Sequence, residues 1–334
     1  MAQIIMDRDV PGCFGTNLAP HRGVLDLGKA QLYVSGLPWE DSMSKNAEYY
    51  YDLKPRQGQT INSWNELLEF YQKSEAGPWK RRWIFGGEKD CSWRLETTLE
   101  RAIHRQCELP LGKEAERWEY RLLRQFERIA PMFLSQPPGK DSWIEWLALL
   151  RHYGGPARLL DWTYSFLIAA FHAIEKSKDG HDSAICAIDV DWWKEETKKR
   201  IPELAKIREE KDPHSEAEYD LIRRLKGKKG IWPVNAFRLN ERLQAQQGVF
   251  LMPLDVSHSF MDNLRALATP ADARSHLWKI VISSSRPLRK QCLTELQRMN
   301  IQNQTLFRGL DGLAKDLENQ MLMPELFQDI EPKF

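Results

Sequence analysis

Two blocks of the sequence place polar residues among apolar ones beside paired glycines, a pattern typical of a ligand site. The first block, 83–88, reads WIFGGE, and its glycines let a flat ligand approach the backbone because no Cβ stands in the way. The second block, 152–163, reads HYGGPARLLDWT, where Gly-Gly-Pro predicts a tight turn before Arg158, Asp161 and Thr163. Buried charges need partners, so Arg158 and Asp161 either bind a ligand or hold each other.

A third block, 240–250, reads NERLQAQQGVF and places the amides of Gln246 and Gln247 before a glycine and a short predicted strand. Taken alone, this pattern also fits the entry to a hairpin. Three polar strand ends separated by long insertions nevertheless predict one shared cleft. The prediction is geometric: residues 86, 158, 161 and 246–247 must line the same pocket.

Together these blocks resemble the FRG domain family, and the likeness spans about residues 83 to 318. The segments that carry it are Phe85-x-Gly87, the block from His152 to Thr163, Gln246-Gln247-Gly248-x-Phe250, and the C-terminal segment 306–313, LFRGLDGL. The second of these segments is close to diagnostic of the family.

The resemblance implies a chemistry and a set of site residues. FRG domains occur in bacterial and phage-related proteins, often in toxin or defence settings, and their blocks are similar in order to the three-part signature of ADP-ribosyltransferases. NAD would then be the substrate whose ADP-ribose is transferred. The catalytic positions that the resemblance implies are Gly86, as the position of an expected arginine, His152, Asp161, Gln246 and Gln247. The NAD-binding residues that it implies are Phe85, Gly87, Tyr153, Arg158, Trp162 and Thr163.

One residue departs from the family pattern, because Gly86 stands where Phe-Arg-Gly has its arginine. An arginine–phosphate contact is bidentate and charge-assisted, and glycine supplies none of it. Either Arg81 or Arg82 substitutes, or the arginine was replaced to inactivate the protein, which is favoured because a disarmed toxin is easier to produce. The segment 307–309, FRG, spells the same motif in another block, and we interpret it as a coincidence.

The resemblance also raises the question of acceptor and partners. A glutamine cannot act as a general base, so His152 is the candidate to activate the acceptor. We expect a nucleic acid acceptor, since 226–230 reads KGKKG and the chain has 13 tryptophans that can stack on bases. A solvated surface and core packing are the alternative interpretations of these two features. A toxin implies a neutralising antitoxin protein.

A second hypothesis is a non-catalytic module that binds a nucleotide or a partner protein through the same cleft. The composition does not decide between the two hypotheses. A net charge of +1 does not attract the whole molecule to nucleic acid or anionic lipid, so any basic surface must be local. Five scattered cysteines without a CxxC pair predict neither disulfides nor a zinc site. Without an apolar run of 18 residues or an export signal, we expect a cytoplasmic protein that does not contact membranes.

The elements that position these residues predict an α+β fold. The resemblance specifies a small central mixed β-sheet of the split, ADP-ribosyltransferase-like kind, surrounded by helices. Strands are expected at 82–85, stopped by a turn at Gly86 and Gly87, and at 184–190, 249–252 and 278–283. Helices are expected from a capping box at Ser63, over the apolar segment 165–175, and over two amphipathic segments at 288–299 and 310–319. We predict an irregular leader at 1–60, a domain at 61–320 with a helical insertion at 95–151, and a tail at 321–334.

Overall fold

A computed structural model describes residues 60–75, 83–107, 111–205, 216–235, 241–269, 272 and 275–323. The chain divides into two units, Met1–Lys45 and Asn46–Phe334, and all described residues belong to the second. The predicted leader therefore lies outside the described residues except for Thr60, as do Arg81, Arg82 and most of the predicted tail.

Within the described residues, six strands form a central sheet in the order β4-β5-β2-β1-β3-β6, and all neighbours in it are antiparallel. The strands are β1 Trp83–Glu88, β2 Leu160–Thr163, β3 Ser183–Asp189, β4 Ile231–Val234, β5 Gly248–Pro253 and β6 Leu277–Ile282. An isolated parallel bridge joins Ile61 to Ile282 in the edge strand β6. The predicted α+β class is confirmed.

The sheet is almost divided between β1 and β2. Strand β1 pairs with β3 along its whole length, whereas in the described chain its pairing with β2 is the single pair Phe85–Thr163. Beyond this pair the half-sheets β4-β5-β2 and β1-β3-β6 separate, so residues 86–88 and 160–162 border a gap. The sheet is in this sense split, as the resemblance implied.

Strand β1 continues through both glycines, which corrects the predicted turn. Gly86 pairs with Cys186 of β3, and Gly87 pairs with Ile185. A Cβ on Gly87 would lie 2.3 Å from the carbonyl oxygen of Ala169, so glycine there allows a helix to pack directly on the strand. The glycine pair therefore serves close packing and does not end the strand.

Helices cover both faces of the sheet. Those before β3 are α1 Trp64–Glu75, α2 Thr98–Cys107, α3 Lys113–Ile129, the 3-10 helix Ala130–Phe133, α4 Trp143–His152 and α5 Phe166–Ile174. Those after β3 are α6 Val190–Arg200, α7 Pro202–Ala205, α8 Glu216–Arg224, α9 Glu241–Ala245, α10 Phe260–Arg265, α11 Arg286–Arg298, α12 Asn303–Leu306 and α13 Leu310–Gln320. Helices α1, α5 and α11 share a core with one face, and α6 and α10 pack on the other. Among the described residues, no helix is both long enough and apolar enough to cross a membrane.

The structure confirms several elements that the sequence signals predicted. The Ser63 hydroxyl accepts a hydrogen bond from the Glu66 N–H at 3.2 Å, as the capping box predicted for α1. The apolar segment at 165–175 forms the buried helix α5, and Ser165 caps it by accepting from the Ile168 N–H. Helices α2, α3 and α4 occupy the predicted helical segment between β1 and β2. Strand β4 was not predicted because it contains Pro233, which an edge strand tolerates.

Candidate active-site cleft

A cavity of about 280 Å³ lies where β1 and β2 separate. It is lined by residues 85–88 of β1, residues 160–163 of β2 and Gln246, which precedes β5. Phe307, from the C-terminal segment that also carries the family resemblance, lines it as well. Gly86, Asp161 and Gln246 thus lie in one cavity, as the sequence predicted, and Phe85, Gly87, Trp162 and Thr163 accompany them. We call this cavity the cleft.

The cleft receives side chains from both faces of the sheet. Successive residues of a strand point to opposite faces, and the gap between the strands exposes both. Trp162 belongs to the core on the side of α6 and α10, together with Cys186. His172 of α5 borders the cleft from the opposite side. A ligand in the gap can therefore contact groups that an unbroken sheet would keep apart.

Asp161 and two arginines form the first charged cluster of the cleft. The Asp161 carboxylate accepts a hydrogen bond from Nη2 of Arg151, and the Asp161 side chain remains 49% exposed. The Nε of Arg151 is buried and has no hydrogen-bond partner among the described residues. Arg242 lies over the Phe307 ring, with its Cζ 4.6 Å from the ring centroid. Burial lowers the pKa of Arg242, while Asp161 opposes the shift.

Glu88 forms a second charged cluster at the end of β1. Burial raises the pKa of Glu88 to about 7, although the nearby cations Arg101, Lys279 and Lys89 act to lower it. A carboxyl group with a pKa near neutrality can accept or release a proton under physiological conditions. The sequence prediction gave Glu88 no role, although an acidic residue directly after paired glycines in a buried strand was a usable signal.

His172 and Gln246 complete the inner wall. Burial lowers the pKa of His172 to about 4, so its imidazole is neutral at pH 7. Gln246 donates from Nε2 to the Leu306 carbonyl at 3.2 Å, which ties it to the C-terminal segment. The Thr163 hydroxyl donates to the Gln246 carbonyl at 2.7 Å and accepts from the Ser165 N–H at 3.0 Å. Thr163 therefore positions the loop that carries Gln246.

Arg158, which the resemblance implied as an NAD-binding residue, does not line the cleft. Its Nε donates to Oε1 of Glu119 at 2.6 Å, and its Nη1 donates to the Leu254 carbonyl at 3.3 Å. It borders a different cavity, of about 610 Å³. The alternative in which Arg158 and Asp161 hold each other is not observed, because Asp161 pairs with Arg151, while the Arg158 side chain, only 11% exposed, pairs with Glu119.

His152, Tyr153 and Gln247 also lie outside the lining of the cleft. The His152 ring packs against Tyr153, with centroids 4.9 Å apart, and its backbone carbonyl accepts from Arg242 at 3.3 Å. Tyr153 is 65% exposed and borders an apolar cavity of about 690 Å³. Gln247 has a positive φ of 46° and lines a separate groove. His152 thus meets the cleft through its backbone carbonyl, which holds Arg242, while its ring lies outside the lining.

Sequence reasoning also gave no role to several residues that line the cleft. They include Glu88, Lys89, Arg101, Arg151, His172, Arg242 and Phe307. Phe307 belongs to the FRG triplet at 307–309 that was interpreted as a coincidence, and its ring borders the cleft. For Arg242, its place within the third block was the available signal.

These features define an α+β domain whose antiparallel sheet opens into a charged cleft. Residues 81–182 match the family model of the FRG domain, so the chain carries an FRG domain. No curated protein and no solved structure gives a significant match to the chain. The family match covers β1, β2, α5 and the helices between the two strands, and Gln246 and Phe307 lie beyond it.

Proposed function

We propose that the cleft binds NAD and that the domain is an ADP-ribosyltransferase acting as a bacterial toxin or phage-defence effector. The convergence of β1, β2 and Gln246 on one cavity, at the point where the sheet parts, carries this proposal. Where the two halves of the sheet separate, backbone and side chains are accessible in a concave site, and small-molecule ligands bind in such sites.

The charge of the cleft supports an anionic ligand. Its lining holds four cationic side chains, Lys89, Arg101, Arg151 and Arg242, and two carboxylates, Glu88 and Asp161. Arginine binds phosphate oxygens through a planar pair of donors, so this excess of cations suits the diphosphate of a dinucleotide. At about 280 Å³, the cavity is slightly smaller than the roughly 300–1,000 Å³ typical of ligand pockets, so it takes one end of NAD.

Transfer of ADP-ribose demands little covalent chemistry from the protein. Nicotinamide is a good leaving group, so the domain must orient the dinucleotide and stabilise an oxocarbenium-like ribose carbon. Asp161, half-exposed beside Arg151, supplies a negative charge for that carbon. Trp162 and Phe307 supply aromatic walls for the flat ring of nicotinamide.

Gly86 favours a second candidate function, a module that binds a nucleotide without turning it over. The family arginine is missing at this position, and the remaining arginines of the cleft come from other elements. A Cβ on Gly86 would lie 3.4 Å from the Trp162 ring, which is an ordinary contact, so the backbone here accepts a Cβ. Position 86 therefore allows the two functions to be separated experimentally.

The test compares the full chain with Gly86→Arg, using Gly86→Ala as the control for an added side chain without charge. Calorimetric titration measures NAD binding, and chromatography measures released nicotinamide. Release by the full chain or by Gly86→Arg, above that of Gly86→Ala, supports the transferase. Binding without release in all three chains supports the module. Failure of all three to bind NAD would contradict both.

The nucleic acid acceptor and the antitoxin remain parts of the proposal that rest on sequence. Lys226 and Gly227, from the basic run, border the cavity of Arg158 and not the cleft. Incubation of an active chain with labelled NAD and separate pools of RNA, DNA and protein identifies the acceptor. Label in protein alone would contradict a nucleic acid acceptor.

A further inference from the structure

Glu88 is the last residue of β1 and lies at the end of the strand that borders the gap in the sheet. Its backbone pairs with Ala184 of β3, so the rigid centre of the sheet fixes the position of its Cα. The side chain is partly buried and lines the cleft opposite β2. A carboxyl group on a central strand is held more precisely than one on a loop, which suits a group that must meet a reacting atom.

The surroundings of Glu88 come from four elements. Arg101 of α2, Lys279 of β6 and the neighbouring Lys89 favour its charged form, while Glu96 opposes it. Cys186 of β3 pairs with Gly86 of the same strand, and burial, helped by the charge of Glu88, raises the pKa of its thiol. Lys279 also donates to the Trp93 carbonyl at 3.3 Å. Burial outweighs the three cations, so the carboxyl group is protonated and deprotonated within the neutral range.

The other candidates for proton transfer are less suitable. His152 lies outside the lining of the cleft, and the amide of Gln246 has no titratable proton. The imidazole of His172 has a pKa of about 4, so it holds a proton poorly at pH 7. Asp161 already has another role, since it places a negative charge beside the ribose carbon while it accepts a hydrogen bond from Arg151.

We propose that Glu88 is the catalytic residue that accepts the proton of the incoming nucleophile, an inference that rests on the proposed transferase function. A lone pair of the acceptor hydroxyl, or of water, forms a bond to C1′ of the nicotinamide ribose. The bond from C1′ to the nicotinamide nitrogen breaks, and its electron pair leaves on nicotinamide, which becomes neutral. The proton of the nucleophile passes to the Glu88 carboxylate and from there to solvent.

The experiment measures nicotinamide release as a function of pH by the full chain and by its Glu88→Gln variant. The same substitution is also made in the Gly86→Arg chain, and the two chains are compared in the same way. A positioned base contributes roughly 100-fold or more. We expect the rate to rise with pH through about 7 as Glu88 ionises, and Glu88→Gln to be about 100-fold slower with no such rise. Calorimetric titration of Glu88→Gln with NAD should show retained binding, because the amide keeps the size of the carboxyl group.

Glu96→Gln is the matched control, because Glu96 influences Glu88 without lining the cleft. It should keep the rate at high pH and move the rise to lower pH, since its charge raises the pKa of Glu88. An unchanged rate and pH profile in Glu88→Gln would overturn the role of Glu88 while leaving the transferase intact. Reduced NAD binding with unchanged turnover at saturation would also overturn it. No release by any chain would overturn both proposals.

Discussion

Arg158 and Asp161 come from the same sequence block, three residues apart, yet they belong to different regions of the molecule. Arg158 is buried with Glu119, and both side chains are only about a tenth exposed. Asp161 is paired with Arg151 at the edge of the cleft and is 49% exposed. The Arg158 pair is mostly buried and all three of its guanidinium nitrogens make hydrogen bonds, so it serves structure, whereas the half-exposed Asp161 pair can exchange a partner for a ligand. Polar residues of one block can therefore divide between stability and chemistry.

Removing Arg158 gives the largest expected effect and tests whether its pair with Glu119 stabilises the fold. Arg158→Ala leaves Glu119 buried without its cation, and we expect the free energy of unfolding to fall by about 3–5 kcal/mol. Denaturant unfolding of the purified chain measures it. The companion variant Arg158→Ala with Glu119→Ala should recover part of the loss. A loss below 1 kcal/mol would show that this pair is not the structural one.

A second comparison sets the adjacent glycines of β1 against each other. Gly87→Ala places a methyl group 2.3 Å from the Ala169 carbonyl oxygen, so we expect about 1–3 kcal/mol of destabilisation. Gly86→Ala meets only ordinary contacts with Trp162, and we expect a change within about 0.5 kcal/mol. Thermal unfolding of both variants gives the difference. Equal losses would contradict the close packing of α5 on Gly87.

The substitution Asp161→Asn tests whether the ion pair in the cleft serves chemistry and not stability. The pair with Arg151 is partly solvated, so we expect a stability change of at most about 1 kcal/mol. Turnover of NAD should fall by at least about tenfold, because the charge that stabilises the oxocarbenium-like ribose carbon is lost. Unfolding and nicotinamide release, measured on the same samples, separate the two effects. A large loss of stability with unchanged turnover would reverse the roles inferred for Arg158 and Asp161.

The smallest effect is a pH dependence caused by Glu88. Its pKa in the folded chain is about 7, above the ordinary value of 4.5, so the folded state holds the proton more tightly than the unfolded state does. Stability therefore decreases as pH rises from about 4.5 to 7. Between these pH values we expect the free energy of unfolding of the full chain to fall by about 1 kcal/mol relative to that of Glu88→Gln, which lacks this titration. The effect is small because Glu88 is partly exposed to solvent. Unfolding curves at pH 4.5, 6 and 7.5 measure the difference, and a parallel course for both chains would disprove it.

Much of the architecture follows from local patterns. The apolar segments became α5, β3, β5 and β6, because a continuous apolar run must be buried whatever its neighbours are. The convergence of Gly86, Asp161 and Gln246 was also predictable, from polar strand ends separated by long insertions. The glycine pair was misinterpreted as a turn, since the need for glycine at position 87 comes from a helix 82 residues later, at Ala169.

The α+β class, the FRG family and three of the positions that meet in the cleft follow from the residues alone. The pairing of each arginine with its carboxylate follows from the tertiary structure, because Glu119 of α3 and Arg151 of α4 reach Arg158 and Asp161 only through the packing of these helices beside β2. The tertiary structure also decided the acidity of Glu88, since burial and the cations of α2 and β6 act on it through space. Sequence spacing records neither burial nor distance between segments far apart in the chain, and the properties of the cleft depend on both.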